Sequence, residues 1–459
     1  MAGIGFALRR LAREDSLNAG LRSQAHAVAV TSGPWLLTVL ALGLVEVFAS
    51  EWLGEDRHRL FSTVVVYNFA FSLVLTGPVV MVVTRRLADM LFARDVTEAT
   101  GMLLGSLAVV FALQSAVGIP FYLFVVDMEP TERVLALFGF LLVGAVWLVS
   151  AFLSALKSYG SISLSFALGM GGGAALALQL APTYGTVGLL AGFTIGLAVL
   201  VFSLVARVLA EYPAPAIRPF AFLPEMRRYW ALALVGLLFG LATWVDKWIM
   251  WFAPGNVVLA GAMPTHPAYD SAMFLACLTM APGAAMFLVV VETRFFEGYL
   301  RYYRGIANHA TAQEIARNHS QILRILANGF RQVAVLQAAV CYLAMLAAPG
   351  LIGMARGGLE LVPTFRFGVL GALCHGLMLF VVAILSYFDL RRSMLAVGAT
   401  FLVLNAGLTW AALWLGVGYA GYGYFLASLL TLALAYALAA RQLTQLPYMT
   451  FVVSNHGLR

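Results

Sequence analysis

The fold class predicted by the sequence is an all-α polytopic membrane protein with twelve transmembrane helices. Three observations predict it: an apolar composition, apolar runs of spanning length separated by short gaps, and a strong charge asymmetry between alternate gaps. Of 459 residues, 62% are hydrophobic and 11% charged, with a mean hydropathy of +0.90. Soluble domains carry roughly 25% charged residues. Each span needs about 20 apolar residues, so the chain has room for 10 to 14 spans and for no soluble domain of size.

Taken in order, the apolar runs place helices at 25–49, 62–84, 102–126, 133–156, 162–180 and 186–209. After a basic gap come 229–253, 271–292, 329–348, 364–388, 393–416 and 420–440. Ahead of them, residues 1–24 read as a cytosolic amphipathic segment. Its apolar stretch before Arg9 is too short for a signal-peptide core, and no small-residue cleavage site follows. Residues 25–209 form a first six-helix bundle and 229–440 a second, and 441–459 is a cytosolic tail. The linker 210–228, with Pro213, Pro215, Pro219 and Pro224, reads as a hinge between the halves. Segment 293–328 places Phe295, Phe296, Tyr299, Tyr302 and Tyr303 among arginines, the pattern of an amphipathic helix lying on or just below the membrane.

Charge tests this topology, because short cytosolic loops retain Lys and Arg. The side shared by the two termini holds 22 of the 28 basic residues. The opposite side keeps only Arg57, Arg59, Arg133, Arg356 and Arg366, beside the acidic groups Glu51, Glu55, Asp56 and Asp127, Glu129, Glu132. Both termini are therefore expected in the cytosol. The same scattering excludes a nucleic-acid surface, since no continuous basic patch with interleaved aromatics forms. Cys277, Cys341 and Cys374 lie in apolar runs without metal or redox spacing, and no disulfide, metal or cofactor is expected.

An internal repeat is suggested by helix 2, with Gly77-Pro78 followed by Met81 and Thr84-Arg85, and helix 8, with Pro282-Gly283 followed by Met286 and Thr293-Arg294. Six spans per half would make that repeat parallel. Coincidence in a low-diversity apolar sequence is the alternative. Gly33-Pro34 in helix 1, Gly77-Pro78 in helix 2 and Pro282 in helix 8 are expected to kink or unwind their helices, because proline removes a backbone donor and clashes with the preceding turn.

Ionisable side chains inside a span are costly and usually face a protein interior or a water-filled path. The sharpest group is on helix 7: Thr243, Trp244, Asp246, Lys247 and Trp248. At 100° per residue Lys247 shares a face with Gly236, Gly240 and Thr243. That small-residue face either allows close helix approach or leaves room for a cavity presenting the lysine to a substrate. In the alternative reading, Asp246 and Lys247 lie in the outer third of the span, the lysine snorkels, and the tryptophans form an interfacial belt. Glu292 and Arg294 place opposite charges at the cytosolic mouth of helix 8, for substrate or for simple structural pairing. His375 reads as a packed core histidine, with no second ligand at i+3 or i+4. Glu51, Glu55 and Asp56 occupy an outer loop where a membrane glycosyltransferase could place carboxylates, but no large outer loop follows, and no catalytic residue is assigned.

The runs MAGIGFALRRLARED at 1–15, TSGPWLL at 31–37, ATWVDKWIMWF at 242–252 and VETRFFEGY at 291–299 resemble the PelG family of the bacterial Pel exopolysaccharide system. The resemblance implies membership of the multidrug, oligosaccharidyl-lipid and polysaccharide flippase superfamily, with two six-helix bundles around a central cavity lined by helices 1, 2, 7 and 8. It implies a transporter of the bacterial inner membrane, not an enzyme, that moves a biofilm polysaccharide. Implied partners are a cytosolic glycosyltransferase and membrane subunits that include a cyclic di-GMP receptor, besides membrane lipid. The residues expected on the substrate path are Thr243, Trp244, Asp246, Lys247, Trp248, Glu292 and Arg294. The chain lacks a dense set of cavity arginines, which argues against a pyrophosphoryl-lipid substrate. An ion-coupled small-molecule or lipid-linked oligosaccharide exporter of the same fold, and a membrane-embedded glycosyl- or acyltransferase, remain the alternatives.

Overall fold

A computed structural model describes residues 33–53, 55–153, 159–354, 358–416 and 420–453. The amphipathic segment expected at 1–24 and the end of the tail lie outside the described residues.

Among the described residues twelve apolar helical stretches follow one another, consistent with the hydropathy pattern. They are α1 (Gly33–Leu53), α2 (Glu55–Ala93), α3 (Ala99–Ile119, continued by a π turn Pro120–Val125) and α4 (Pro130–Leu153). Next come α5 (Tyr159–Phe166, a π turn Ala167–Gly171, then Gly172–Tyr184), α6 (Thr186–Glu211) and α7 (Trp230–Met250). The remainder are α8 (Pro267–Leu278 and Ala281–Val290), α9 (Ala312–Met354), α10 (Val362–Tyr387), α11 (Arg391–Leu415) and α12 (Tyr422–Thr444). Among the described residues eleven of these are long and apolar enough to cross a membrane, and α1 contributes the shorter apolar helix Leu37–Ala49. The chain is a multi-pass membrane protein. In hydrocarbon each backbone N–H and C=O must be satisfied within the protein, and the continuous helices do this. A two-stranded antiparallel hairpin, β1 (Val257–Leu259) with β2 (Met263–Thr265), pairs Val258 with Pro264 in the loop after α7.

Two compact units divide the chain. One is Gly33–Trp244 with Met250–His266; among described residues the other is Val245–Ile249 with Pro267 onward, so α7 contributes to both.

In the first unit α2 crosses α7 at glycine. A Cβ on Gly77 would stand 2.7 Å from the Gly236 carbonyl oxygen, and one on Gly240 would stand 3.1 Å from the Val74 Cα. The small-residue face of α7 therefore serves close approach at Gly236 and Gly240. Helix α2 is continuous through Gly77 and Pro78 over 39 residues, so the expected unwinding there does not occur. Thr76 and Thr84 instead donate back to the carbonyls of Ser72 and Val80 at 2.8 and 2.7 Å. Gly33 and Pro34 open α1, and what precedes them lies outside the described residues.

The proline-rich connection after α6 is strapped to its own unit. A Cβ on Gly101 or Gly105 would overlap the carbonyl groups of Ile217 and Pro219, and Thr100 donates to the Tyr212 carbonyl at 2.6 Å. Arg86 bridges Glu98 at 3.3 Å and Glu225 at 3.7 Å. Tyr229 donates to Asp89 at 3.0 Å, and burial together with that bond pushes its phenol above the ordinary tyrosine value.

In the second unit α8 does break before Pro282, at the turn Thr279–Met280. The freed Thr279 carbonyl accepts from Gln337 Nε2 of α9 at 2.8 Å. Replacing Gln337 with Leu is expected to lower stability by about 1–3 kcal/mol, the cost of a buried carbonyl left without a donor, read as a lower melting temperature with the helix content unchanged. Because α2 runs straight where α8 breaks, the two helices are not alike in backbone at their Gly/Pro positions, whatever their shared sequence.

Segment 293–328 is not one helix. Val291–Phe295 is a π turn, Phe296–Ala307 a separate helix, and α9 begins at Ala312, which gives a helical hairpin. One side of Phe296–Ala307 packs on protein, while Phe296, Leu300 and Ile306 stay half-buried. Gly298 faces Ile322 and Ile325, Tyr302 is fully buried, and Phe295 meets Tyr387 with ring centroids 5.1 Å apart.

Candidate functional site

A polar cluster built around an ion pair lies within the second unit. Asp246 is 0% exposed on α7, and its Oδ2 is 3.1 Å from Lys247 Nζ. The same oxygen accepts from Tyr269 of α8 at 3.0 Å, and Oδ1 accepts from Asn405 Nδ2 of α11 at 3.4 Å. Thr409, one turn on, donates to Asn405 Oδ1 at 3.4 Å. A buried carboxylate needs such donors, because leaving it in an apolar interior without them costs several kcal/mol.

Lys247 does not snorkel. Its side chain is 12% exposed, and its ammonium sits 5.8 Å from the centroid of the Tyr424 ring of α12. The Tyr424 hydroxyl is 2.9 Å from His375 Nδ1 of α10, and the His375 ring packs on Phe401 at 4.9 Å. Five helices, α7, α8, α10, α11 and α12, thus converge on one charge pair. Tyr269 and Tyr424 stand in the first turns of α8 and α12, Lys247 in the last turn of α7, and His375 and Asn405 near the middles of α10 and α11. A buried pair held this way can present a cation with its counter-charge fixed, and can bind or release a polar group without either charge being left alone.

The other predicted residues scatter. Trp244 and Trp248 are half-buried on α7, one residue before and after the pair's neighbours Val245 and Lys247. Thr243 Oγ1 donates to the Phe239 carbonyl at 2.8 Å. Arg294 is exposed in the π turn at the opposite end of α8, so it is not brought to Asp246 and Lys247. The Glu292 side chain lies outside the described residues. Among the described residues no group of three or more His, Cys, Asp or Glu forms a metal site.

Sequence reasoning missed Tyr269, Asn405, Thr409 and Tyr424. Asn405 with Thr409 four residues later, inside an apolar run, was a visible signal. It also missed a second ionisable pair, in the first unit. Glu46 of α1 lies 2.5 Å from His58 Nε2 and accepts from Ser62 Oγ at 2.6 Å, with its side chain 51% exposed. Neutral groups also pair in that unit's interior. Tyr122 donates to Asn68 Oδ1 at 2.7 Å, and Trp147 Nε1 donates to Ser72 Oγ at 3.1 Å.

A family model described as "PelG: Putative exopolysaccharide Exporter (EPS-E)" matches residues 1–451. No curated protein matches the chain in sequence. Among solved structures, the fold is similar to an outward-facing multidrug resistance MATE family transporter of the MOP superfamily, at 14% identity and a TM-score of 0.67, covering 98% of this chain and 99% of that one. It is also similar to a MOP superfamily transporter from Pyrococcus furiosus, at 14% identity and a TM-score of 0.64, covering 92% and 96%. At that identity the likeness establishes the fold alone.

Proposed function

Because the chain belongs to the PelG family, we propose that it exports a Pel-type exopolysaccharide across the bacterial inner membrane, from cytosol to periplasm, as a cytosolic glycosyltransferase makes it. The observation that carries this reading is the family match along nearly the whole chain, on a fold whose solved relatives are transporters. The 22 basic residues on the side of the termini support a cytosolic placement of both. Its role is transport, not catalysis. Its partners are the glycosyltransferase and the membrane subunits of the system, with a cyclic di-GMP receptor among them.

Asp246 and Lys247 are the polar groups of the substrate path, with Trp244 and Trp248 offering ring faces to sugars and Thr243 a hydroxyl. Glu292 and Arg294 stand at the cytosolic entrance. The second reading, an ion-coupled exporter of small molecules, draws on the likeness to a multidrug transporter. The pairing of Asp246 with Lys247 weighs against it, since a carboxylate already neutralised by a neighbouring ammonium has less need of an external cation. Affinity purification of the tagged chain from polymer-producing cells is expected to retain the glycosyltransferase in near-stoichiometric amount. Uptake of a cationic dye into proteoliposomes on an ion gradient, with no synthase present, would favour the exporter reading instead.

A further inference from the structure

A groove of about 500 Å³ opens between α5 and α6 of the first unit, walled by Leu164, Leu168, Val199, Ser203 and Arg207. Its shape follows from glycine. A Cβ on Gly173 would stand 2.7 Å from the Gly196 Cα, and one on Gly169 would stand 2.7 Å from the Leu200 Cβ, so the helices touch there. The π turn Ala167–Gly171 interrupts α5 beside that crossing, and Leu168 lies within it. Leu164 and Leu168 are about 60% exposed, and Phe202 beside them is 69% exposed. Such surface on membrane-crossing helices is covered by acyl chains. Val199 to Arg207 spans eight residues, or about 12 Å of rise, most of a single leaflet of about 15 Å.

Arg207 closes the groove one turn from the end of α6. Its Nε is buried and makes no hydrogen bond, and its Nη2 is 3.9 Å from Glu211, beyond hydrogen-bond length. A guanidinium fork with an unsatisfied inward donor, at headgroup depth and at the end of an apolar slot, matches a phosphodiester oxygen above an acyl chain. We propose that this groove binds an anionic phospholipid of the leaflet on the arginine-rich side, its chain along Leu164, Leu168 and Val199 and its phosphate on Arg207. The proposal needs only the membrane-spanning fold and is independent of what the protein exports.

The test is native mass spectrometry of the full chain titrated with phosphatidylglycerol, with phosphatidylcholine and with soluble glycerol phosphate. One phosphatidylglycerol is expected to bind about tenfold tighter than phosphatidylcholine, with no retention of glycerol phosphate. Arg207→Gln removes that preference at an unchanged melting temperature, and Leu168→Trp, which fills the slot from an exposed position, removes binding of either lipid there. Arg228→Gln, at the end of the strap, leaves it intact. Equal affinity for the two lipids, or an Arg207→Gln protein that keeps the preference, overturns the proposal. So does glycerol phosphate binding as well as the lipid, which marks a free-anion site. Loss of a dimer in Leu168→Trp without loss of lipid gives the groove to a second copy and also overturns it.

Discussion

Asp246→Ala is expected to cost the purified protein about 3–5 kcal/mol and to abolish polymer export. The substitution leaves the Lys247 ammonium in a site where its side chain is 12% exposed, facing the Tyr424 ring without its nearest carboxylate, and breaking a buried pair from one side is costly for that reason. Lys247→Met should cost less, about 3 kcal/mol, because Asp246 keeps Tyr269 and Asn405 as donors. With both changes, Asp246→Asn and Lys247→Met, neither charge is stranded. Stability should recover by about 2–3 kcal/mol relative to the sum of the single losses, the range seen for residues in contact. Melting temperature in detergent reads the stability, and secreted polymer per folded protein reads the function. A stable double variant that exports nothing assigns the pair to transport. One that exports normally makes it a structural pair only.

Gly236→Val is expected to have the second large effect. The α2–α7 crossing has no room for a side chain, since a Cβ at Gly236 overlaps the Gly77 carbonyl and also comes within 2.9 Å of Met81 Cγ. The obstacle is mostly backbone, which cannot rotate away, so α7 must move from α2. A loss of about 3 kcal/mol, at the upper end for overpacking, is the expected result, with Gly236→Ala showing most of it. Gly43→Ala, whose Cβ meets nothing within 4 Å, should leave the melting temperature unchanged.

The positions of the twelve helices were legible because spanning is a local property. A run such as 186–209 is apolar over the length of a bilayer whatever it packs against, and Thr186–Glu211 is where the structure puts it. The ends were not legible. Helix α2 continues to Ala93 and α9 begins at Ala312, past the apolar runs, because polar residues beyond the membrane remain good helix formers and hydropathy sees only the apolar part. The amphipathic pattern of 293–328 was legible, and the break at 308–311 that divides the segment between two helices was not. Gly298 of the first helix faces Ile322 and Ile325 of the returning one, and periodicity cannot distinguish a lipid from a leucine-like neighbour.

At the site, Asp246 and Lys247 stood out because charge is rare in spans. Their company did not, since Tyr269 is 23 residues away and Asn405 159 residues away along the chain. Proline was an unreliable signal of a break. Pro78 is carried inside an unbroken helix while Pro282 follows a true turn, and the difference lies in neighbours: Gln337 is placed to satisfy the freed carbonyl in α8. Glu46 required no tertiary knowledge, being an acid in an apolar run, and was overlooked because it sits near the end of its span.

The most direct measurement of the central claim uses inverted membrane vesicles that contain the chain and its glycosyltransferase, fed with a radiolabelled nucleotide sugar. Export predicts that labelled polymer gathers in the vesicle lumen, protected from an added glycoside hydrolase until detergent is supplied, and that protection is lost in the Asp246→Asn, Lys247→Met double variant. Polymer made in equal amount but fully digestible without detergent, with the wild-type chain present and folded, would contradict the claim.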